Sequence, residues 1–335
     1  MKLTKRRVTL LVGIPLSILF LWIALRGVDF KEALTLVKKA DYRLILLAAA
    51  MVIADFSLRA LRWKVLLSPV KIIKYLELVS TVFIGFMANN VLPLRAGEII
   101  RIFLIGQKEK ISKTSAAGTI VIERMLDIFA ILSLSIIAFV SHSFPPYIKK
   151  VWIIFLVVLV VLIIILYGLM YSEKKTLSIL NRTVLRLLPG KFEEKTKIFL
   201  NDFIGGLNIL KNGHHILLSL GISLAIWGIN ALGFYFVARG LEIEQVAYSG
   251  ALLVMTLVTL GISIPSSPGF VGVYEAAGIG AALLLGVAKS EAAAFIMLIH
   301  IVQILTILAV GMFFLTREHI SLIQVEKEAE KEVEV

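Results

Sequence analysis

Val151–Tyr171 is an unbroken apolar run without a single charged side chain, and it removes most folds from consideration. A helix needs about 20 such residues to cross a hydrocarbon core roughly 30 Å thick. Several comparable runs follow one another along the 335 residues. In lipid only helices and closed barrels satisfy every backbone N–H and C=O group. Barrel strands alternate apolar and polar residues, and these runs do not. The chain is 59% hydrophobic and 17% charged, against about 45–50% and about 25% for a soluble domain. The expected class is therefore an all-α polytopic membrane protein.

Basic residues orient the runs, because Lys and Arg concentrate in cytoplasmic loops. Lys2, Lys5, Arg6 and Arg7 precede a first span, Val8–Leu25. That stretch is too long for a signal-peptide core and lacks a small-x-small cleavage site, so it reads as uncleaved, with a cytoplasmic N-terminus. Asp29–Ala40 is amphipathic and suits the outer surface. Leu44–Leu61 returns inward to Arg59, Arg62, Lys64, Lys71 and Lys74. Leu76–Ile105 is apolar but broken between Asn89 and Glu98, and is basic on both flanks, so it reads as a re-entrant hairpin from the cytoplasmic side. Ala116–Val140 runs outward and Val151–Tyr171 inward. The loop 172–213 has eight Lys or Arg against four Asp or Glu and holds an interfacial helix at Phe192–Leu210. His215–Ala238 runs outward, and Ala292–Leu315 must end inside because Arg317 follows. Ala247–Gly286, broken at Ile264–Gly269, is then a second hairpin entering from outside. The expectation is six full spans and two opposed hairpins in one transmembrane domain, 1–315. An acidic cytoplasmic tail, 316–335, follows. Both termini lie on the cytoplasmic side of the plasma membrane, and the two halves form an inverted repeat.

The net charge of +12 sits in the loops flanking the apolar runs, which marks topology and points away from nucleic acid. With no cysteine, disulfides, thiol nucleophiles and thiolate metal sites are excluded. No G-x-x-x-x-G-K-[ST] or G-x-S-x-G motif occurs, and the five histidines show no metal-ligand spacing apart from the loop pair His214 and His215. No catalytic group, metal or cofactor is therefore assigned.

Broken backbone at membrane depth is tolerated where it is buried in protein or lines a wet cavity. The first break carries Asn89, Asn90, Arg95, Glu98 and Arg101. A helix starting near Ala96 would aim its N–H groups at the break, and the arginines suit a phosphate; a plain loop with snorkelling arginines is the other account. Glu123, Arg124 and Asp127 lie within one apolar span, where each charge costs about 2.5–3.5 kcal/mol at the helix centre. They form a polar track, a proton relay or a partner for Arg95 or Arg101, or else an ion-pair lock between helices. The second break supplies Ser266, Ser267, Gly269 and Gly272, then Tyr274 and Glu275: an anion or headgroup site, or a proline-kinked packing corner. Asp55, Arg59 and Arg62 share one face, with Arg59 and Arg62 expected to snorkel and Asp55 to pair with Arg59. Asn230, Tyr235, His300 and Gln303 are expected to be ordinary interhelical hydrogen-bonding groups.

Three motifs occur in order: Asn90-x-Leu92-Pro93-x-Arg95-x-Gly97-Glu98-x-x-Arg101, Glu123-Arg124-x-x-Asp127, and Pro265-x-x-Pro268-Gly269-x-x-Gly272-x-x-Glu275. With the preceding Arg59-Ala60-Leu61-Arg62-Trp63, they resemble the lysylphosphatidylglycerol synthase transmembrane-region family of flippase-like membrane proteins. The resemblance covers nearly the whole chain and lacks the soluble aminoacyltransferase domain of multidomain members. It implies a translocase that moves an anionic, aminoacylated or polyprenyl-linked lipid headgroup between leaflets. The alternatives are an intramembrane lipid-modifying enzyme, or an accessory subunit working with a separate synthase or glycosyltransferase.

Overall fold

The computed structural model describes residues 5–92, 96–141, 150, 152–154, 156–158, 160–161, 164, 212–264, 266–322 and 325. Arg95, the Phe192–Leu210 segment and most of the acidic tail lie outside the described residues, as does much of Val151–Tyr171. The described residues hold no strand. Among them ten helices carry the fold: α1 (Lys5–Leu25), α2 (Phe30–Lys39), α3 (Tyr42–Leu67), α4 (Tyr75–Val91), α5 (Gly97–Glu109), α6 (Lys113–Ser141), α7 (Gly213–Gly240), α8 (Tyr248–Gly261), α9 (Val273–Leu284) and α10 (Lys289–Arg317).

Local chemistry sets their ends. Asp29 caps α2 by accepting from the Lys31 and Glu32 N–H groups at 2.9 and 3.1 Å, and Asp41 caps α3 through Arg43 N–H at 2.9 Å; such caps satisfy N–H groups that the helix itself cannot. Between Gly13–Leu25 and α2 the axis bends by 82°, which lets the amphipathic α2 lie across the bundle end against α10. There the Asp29 N–H donates to Ser290 Oγ at 3.1 Å.

Among the described residues α3, α7 and α10 are long and apolar enough to cross a membrane, and the bent α1–α2 pair qualifies if it is one span. The helix α6 has 29 residues. By contrast α4, α5, α8 and α9 have 17, 13, 14 and 12, all below the ~20 that a span needs. They pack as two pairs, α4 on α5 and α8 on α9.

The packing has an internal correspondence. Let α3, α4, α5 and α6 map onto α7, α8, α9 and α10. Then α3–α4 matches α7–α8, α5–α6 matches α9–α10, and α3–α6 matches α7–α10. Across the halves, α4–α10 matches α8–α6 and α3–α10 matches α7–α6, while α3–α7, the most extensive interface, maps onto itself. Every substantial contact among these eight helices has its counterpart.

Apolar burial divides into two stacked cores. One joins α7, α8 and α9 with Ile45 and Ala48 of α3, Ala130 and Ile131 of α6, and the first half of α10. The other joins α4 and α5 with Val52 to Leu67 of α3, Ala116 and Ile122 of α6, and Ile307 and Phe314 of α10. The seam between the cores falls where the intramembrane charges lie.

Candidate functional site

Asp55, Arg59 and Arg62 come from α3, Glu98 and Arg101 from α5, and Glu123, Arg124 and Asp127 from α6. Arg59 Nε donates to Asp55 Oδ1 at 2.6 Å, one turn apart on the same face. Arg62 donates to Asp127 Oδ1 at 2.6 Å and lies 3.1 Å from Glu123 Oε1. Arg101 grips Glu123 through both terminal nitrogens, at 3.2 and 2.9 Å, the fork geometry that makes arginine–carboxylate pairs strong. Arg124 reaches Glu98 at 3.4 Å, Glu123 at 3.3 Å and Asp127 at 3.4 Å. These four guanidinium groups and four carboxylates balance in charge, which is how the buried ions among them persist away from water; Arg124 and Glu98 are partly exposed.

Aromatic rings wall the cluster. Arg59 sits 4.9 Å from the Trp227 ring and Arg101 4.3 Å from the Trp63 ring, within cation–π range. Trp227 Nε1 donates to Asp127 Oδ1 at 3.0 Å, and Asn230 Nδ2 to Asp55 Oδ2 at 2.7 Å.

Two sequence expectations change here. Arg59 and Arg62 do not snorkel: they are 4% and 0% exposed. The helix α3 runs on to Leu67, so Arg62 lies more than a turn inside its end, with carboxylates from α6 within reach. Arg101, expected as a phosphate ligand, is 1% exposed and held by Glu123. Its stem lies over Gly85, where a Cβ would stand 2.3 Å from Arg101 Cγ.

At the first break Asn89 Oδ1 accepts from the Gly97 N–H at 2.8 Å, capping α5 from the end of α4. A Cβ on Gly97 would come 2.0 Å from the Gly85 carbonyl oxygen, so the two helices touch backbone to backbone. At the second break, Gly269 and Gly272 have φ of +68° and +91°, the left-handed side that glycine reaches without strain. Ser17 Oγ of α1 accepts from the Ser267 N–H at 2.9 Å. Glu275 Oε2 accepts from the Gly272 N–H at 2.6 Å, which starts α9.

The breaks meet. The turn Pro268–Phe270 packs on α4, with Gly269 against the Asn90 carbonyl. Between them lies a cavity of about 460 Å³. Its polar lining comes from the first half through Asp55, Arg59, Asn89, Asn90, Glu98, Arg124 and Asp127, and from the second through Asn230, Ser263, Tyr274, His300 and Gln303, with aromatic and aliphatic residues completing it. Asp127 Oδ2 accepts no hydrogen bond there. Arg101, Glu123, Ser266, Ser267, Gly269, Gly272 and Glu275 are not among its lining residues. A larger cavity, about 660 Å³, opens among Glu77, Lys108, Arg317, Glu318 and His319, but it lies at the basic-loop ends of α5 and α10. Its Lys108 is already paired with Glu318 and Glu77.

The Lysylphosphatidylglycerol synthase TM region family model matches residues 10–311. The chain belongs to this family. It is therefore a multi-pass integral membrane protein. It is similar to the UPF0104 membrane protein PH1989 of Pyrococcus horikoshii, with 26% identity over 89% of this chain and 93% of the relative. A UPF0104 membrane protein of Methanothermobacter thermautotrophicus is 24% identical over 82% of this chain and 85% of its own length. The glycosyltransferase AglD of Haloferax volcanii is 24% identical over 89% of this chain but 52% of its own length, so the chain spans about half of that relative.

Within this family member, sequence reasoning leaves His300 and Gln303 as ordinary interhelical groups. Yet His300 contacts Glu275 Oε1 at 2.5 Å through Nδ1 and the Gly269 carbonyl at 2.9 Å through Nε2. The Tyr274 ring stacks on it at 3.8 Å, and the Tyr274 hydroxyl donates to Gln303 Oε1 at 3.0 Å. A lone histidine within an apolar span carried the signal: a titratable group at membrane depth rarely sits there without a partner.

Proposed function

We propose that this protein is a lipid translocase, moving a charged headgroup through the cavity between its two helix breaks while the acyl or prenyl tails stay in lipid. The observation that carries the reading is the cavity itself, a polar floor under apolar and aromatic walls at the seam of two apolar cores. Arg59 and Arg124 supply positive charge for a headgroup phosphate, and Asp127, Glu98 and Asp55 accept hydrogen bonds from its amine or hydroxyl groups. Arg101 and Glu123 hold α5 on α6. The substrate is an anionic, aminoacylated or polyprenyl-linked lipid. Short paired helices support two re-entrant hairpins, the first by its basic flanks and the second by the inward end of α10 at Arg317, which leaves it to enter from the opposite face. The matched packing of the halves supports an inverted repeat, the plan of many transporters, with both termini cytoplasmic.

Proteoliposomes containing only this protein test the reading. Fluorescent phosphatidylglycerol, its aminoacylated form and a polyprenyl-phosphate sugar should each be assayed for movement between leaflets. At least one should move faster than in empty vesicles, and Asp127→Asn should slow it about tenfold, equivalent to ~1.4 kcal/mol. No acceleration for any of the three would overturn the proposal.

Similarity to the glycosyltransferase AglD of Haloferax volcanii favours a second reading, an accessory role in a glycosyltransferase pathway. Co-purification of a glycosyltransferase with the tagged protein from its native membrane would raise it above the first.

A further inference from the structure

The geometry points to a proton-binding site at Glu275 and His300, through which proton release opens the second helix break. Both ring nitrogens of His300 face acceptors: Nδ1 lies 2.5 Å from the Glu275 carboxylate and Nε2 lies 2.9 Å from the Gly269 carbonyl. A neutral imidazole donates through one nitrogen only. The contacts therefore need one more proton than a carboxylate and a neutral imidazole hold together. That proton either makes His300 an imidazolium or sits on Glu275 and is donated to Nδ1. The proton count is the same in both cases.

Removing it leaves a lone pair facing an oxygen, at Glu275 or at Gly269. Gly269 belongs to the break that packs on α4 beside Asn90, and His300 belongs to α10. Losing the proton thus weakens the link between the break and α10 on the cavity wall. His300 cannot swing away to relieve the clash cheaply, because Tyr274 stacks on its ring within 7° of parallel and both residues are buried.

Other titratable groups near the pair are few among the described residues. The α9 neighbour is Tyr274; across the cavity stand Asp55 and Arg59 of α3, Glu98 of α5, and Arg124 and Asp127 of α6. The helices α1, α4, α7 and α8 present Ser17, Asn89, Asn90, Asn230, Thr259 and Ser263, none of which titrates in this range. The charged side chains of α2 are exposed, beside the Ser290 end of α10. The pair is therefore the proton site facing the cavity from the second half, and its use in coupling rests on the translocase reading above.

The absence of native cysteine allows a test independent of transport. Ser266→Cys reports the break, and Ser141→Cys, exposed at the end of α6, corrects for the reactivity of the thiol itself. N-ethylmaleimide labelling of the full chain in detergent is followed from about pH 5 to about pH 8, the window across which an ordinary imidazole changes charge. The labelling rate of Ser266→Cys divided by that of Ser141→Cys should rise with pH, approaching about tenfold per unit on the steep part of a one-proton curve. Glu275→Gln should flatten the ratio at its low value, because the amide still accepts from Gly272, donates to Nδ1 and leaves Nε2–H on Gly269. His300→Gln should flatten it as well, and size-exclusion profiles report whether each variant is folded. A ratio independent of pH with Glu275 and His300 intact, or a pH response that survives Glu275→Gln, overturns the site. A pH-dependent ratio lost in both variants supports it even if no lipid moves, an outcome that would count against the translocase alone. Lipid movement with a flat ratio would leave the translocase and remove the proton site.

Discussion

Glu123 is fully buried and receives three guanidinium groups, from Arg62, Arg101 and Arg124. Removing one member of such a set strands the charges it balanced, which costs more than the intact pair contributes. Glu123→Gln should therefore lower stability by about 3–5 kcal/mol, read as a fall in melting temperature in detergent. Arg101→Gln should behave alike. The double variant should cost less than the two together, with a coupling of about 0.5–3 kcal/mol; additive losses would mean that the two side chains do not act as a pair. The sequence shows that Glu123, Arg124 and Asp127 must face inward, since charge at that depth is expensive. It also shows the Asp55–Arg59 pair, whose four-residue spacing is local. It cannot show that Arg62 serves Asp127, because those residues lie 65 apart and only packing of α3 on α6 brings them together. The snorkelling expected of Arg59 and Arg62 fails for the same reason.

Most helix boundaries follow the sequence closely, because apolar runs, Asp caps and basic flanks are local signals; α3 is the exception, running six residues past its expected end at Leu61 to Leu67. The first arm of Leu76–Ile105, expected to end at the break after Asn89, becomes Tyr75–Val91, and Ala116–Val140 becomes Lys113–Ser141. How nearly two helices approach is a matter of side-chain size at the crossing, which no periodicity reveals. At α4 and α5 the crossing is made by Gly85 and Gly97. A methyl group on Gly97 would overlap the Gly85 carbonyl and Asn89 Oδ1, forcing the pair apart. Gly97→Ala should cost about 1–3 kcal/mol and slow lipid movement, since Asn89 and Glu98 line the cavity. On α7, Gly221 is exposed with no neighbour within 4 Å. Gly221→Ala should leave transport unchanged and stabilise the helix by about 0.5–1 kcal/mol. Equal effects at the two positions would contradict the close crossing.

For the whole molecule, the charge pattern of the loops implies two similar halves of opposite orientation; the contacts of α3–α6 match those of α7–α10, and the orientation of each half is what labelling tests. The cavity was legible only as a place between two breaks, because its volume and walls depend on every helix at once. Single cysteines at Ile72 and Lys110, before and after the first pair, should be labelled from the cytoplasmic side. Those at Gln245 and Ala288, around the second, should be labelled from outside; all four are exposed. Finding Ile72 and Lys110 on opposite sides would show that the first pair crosses the membrane. The balanced charge of the cluster also bears on how the protein is made. During synthesis α3 emerges well before α6, so Arg62 reaches the insertion machinery while Asp127, 65 residues later, does not yet exist. Asp55 can neutralise Arg59 within α3, but nothing on α3 does the same for Arg62. The ribosome must therefore deliver α6 before α3 can settle fully among lipids, and a nascent chain ending after α5 would be an orphan for membrane quality control.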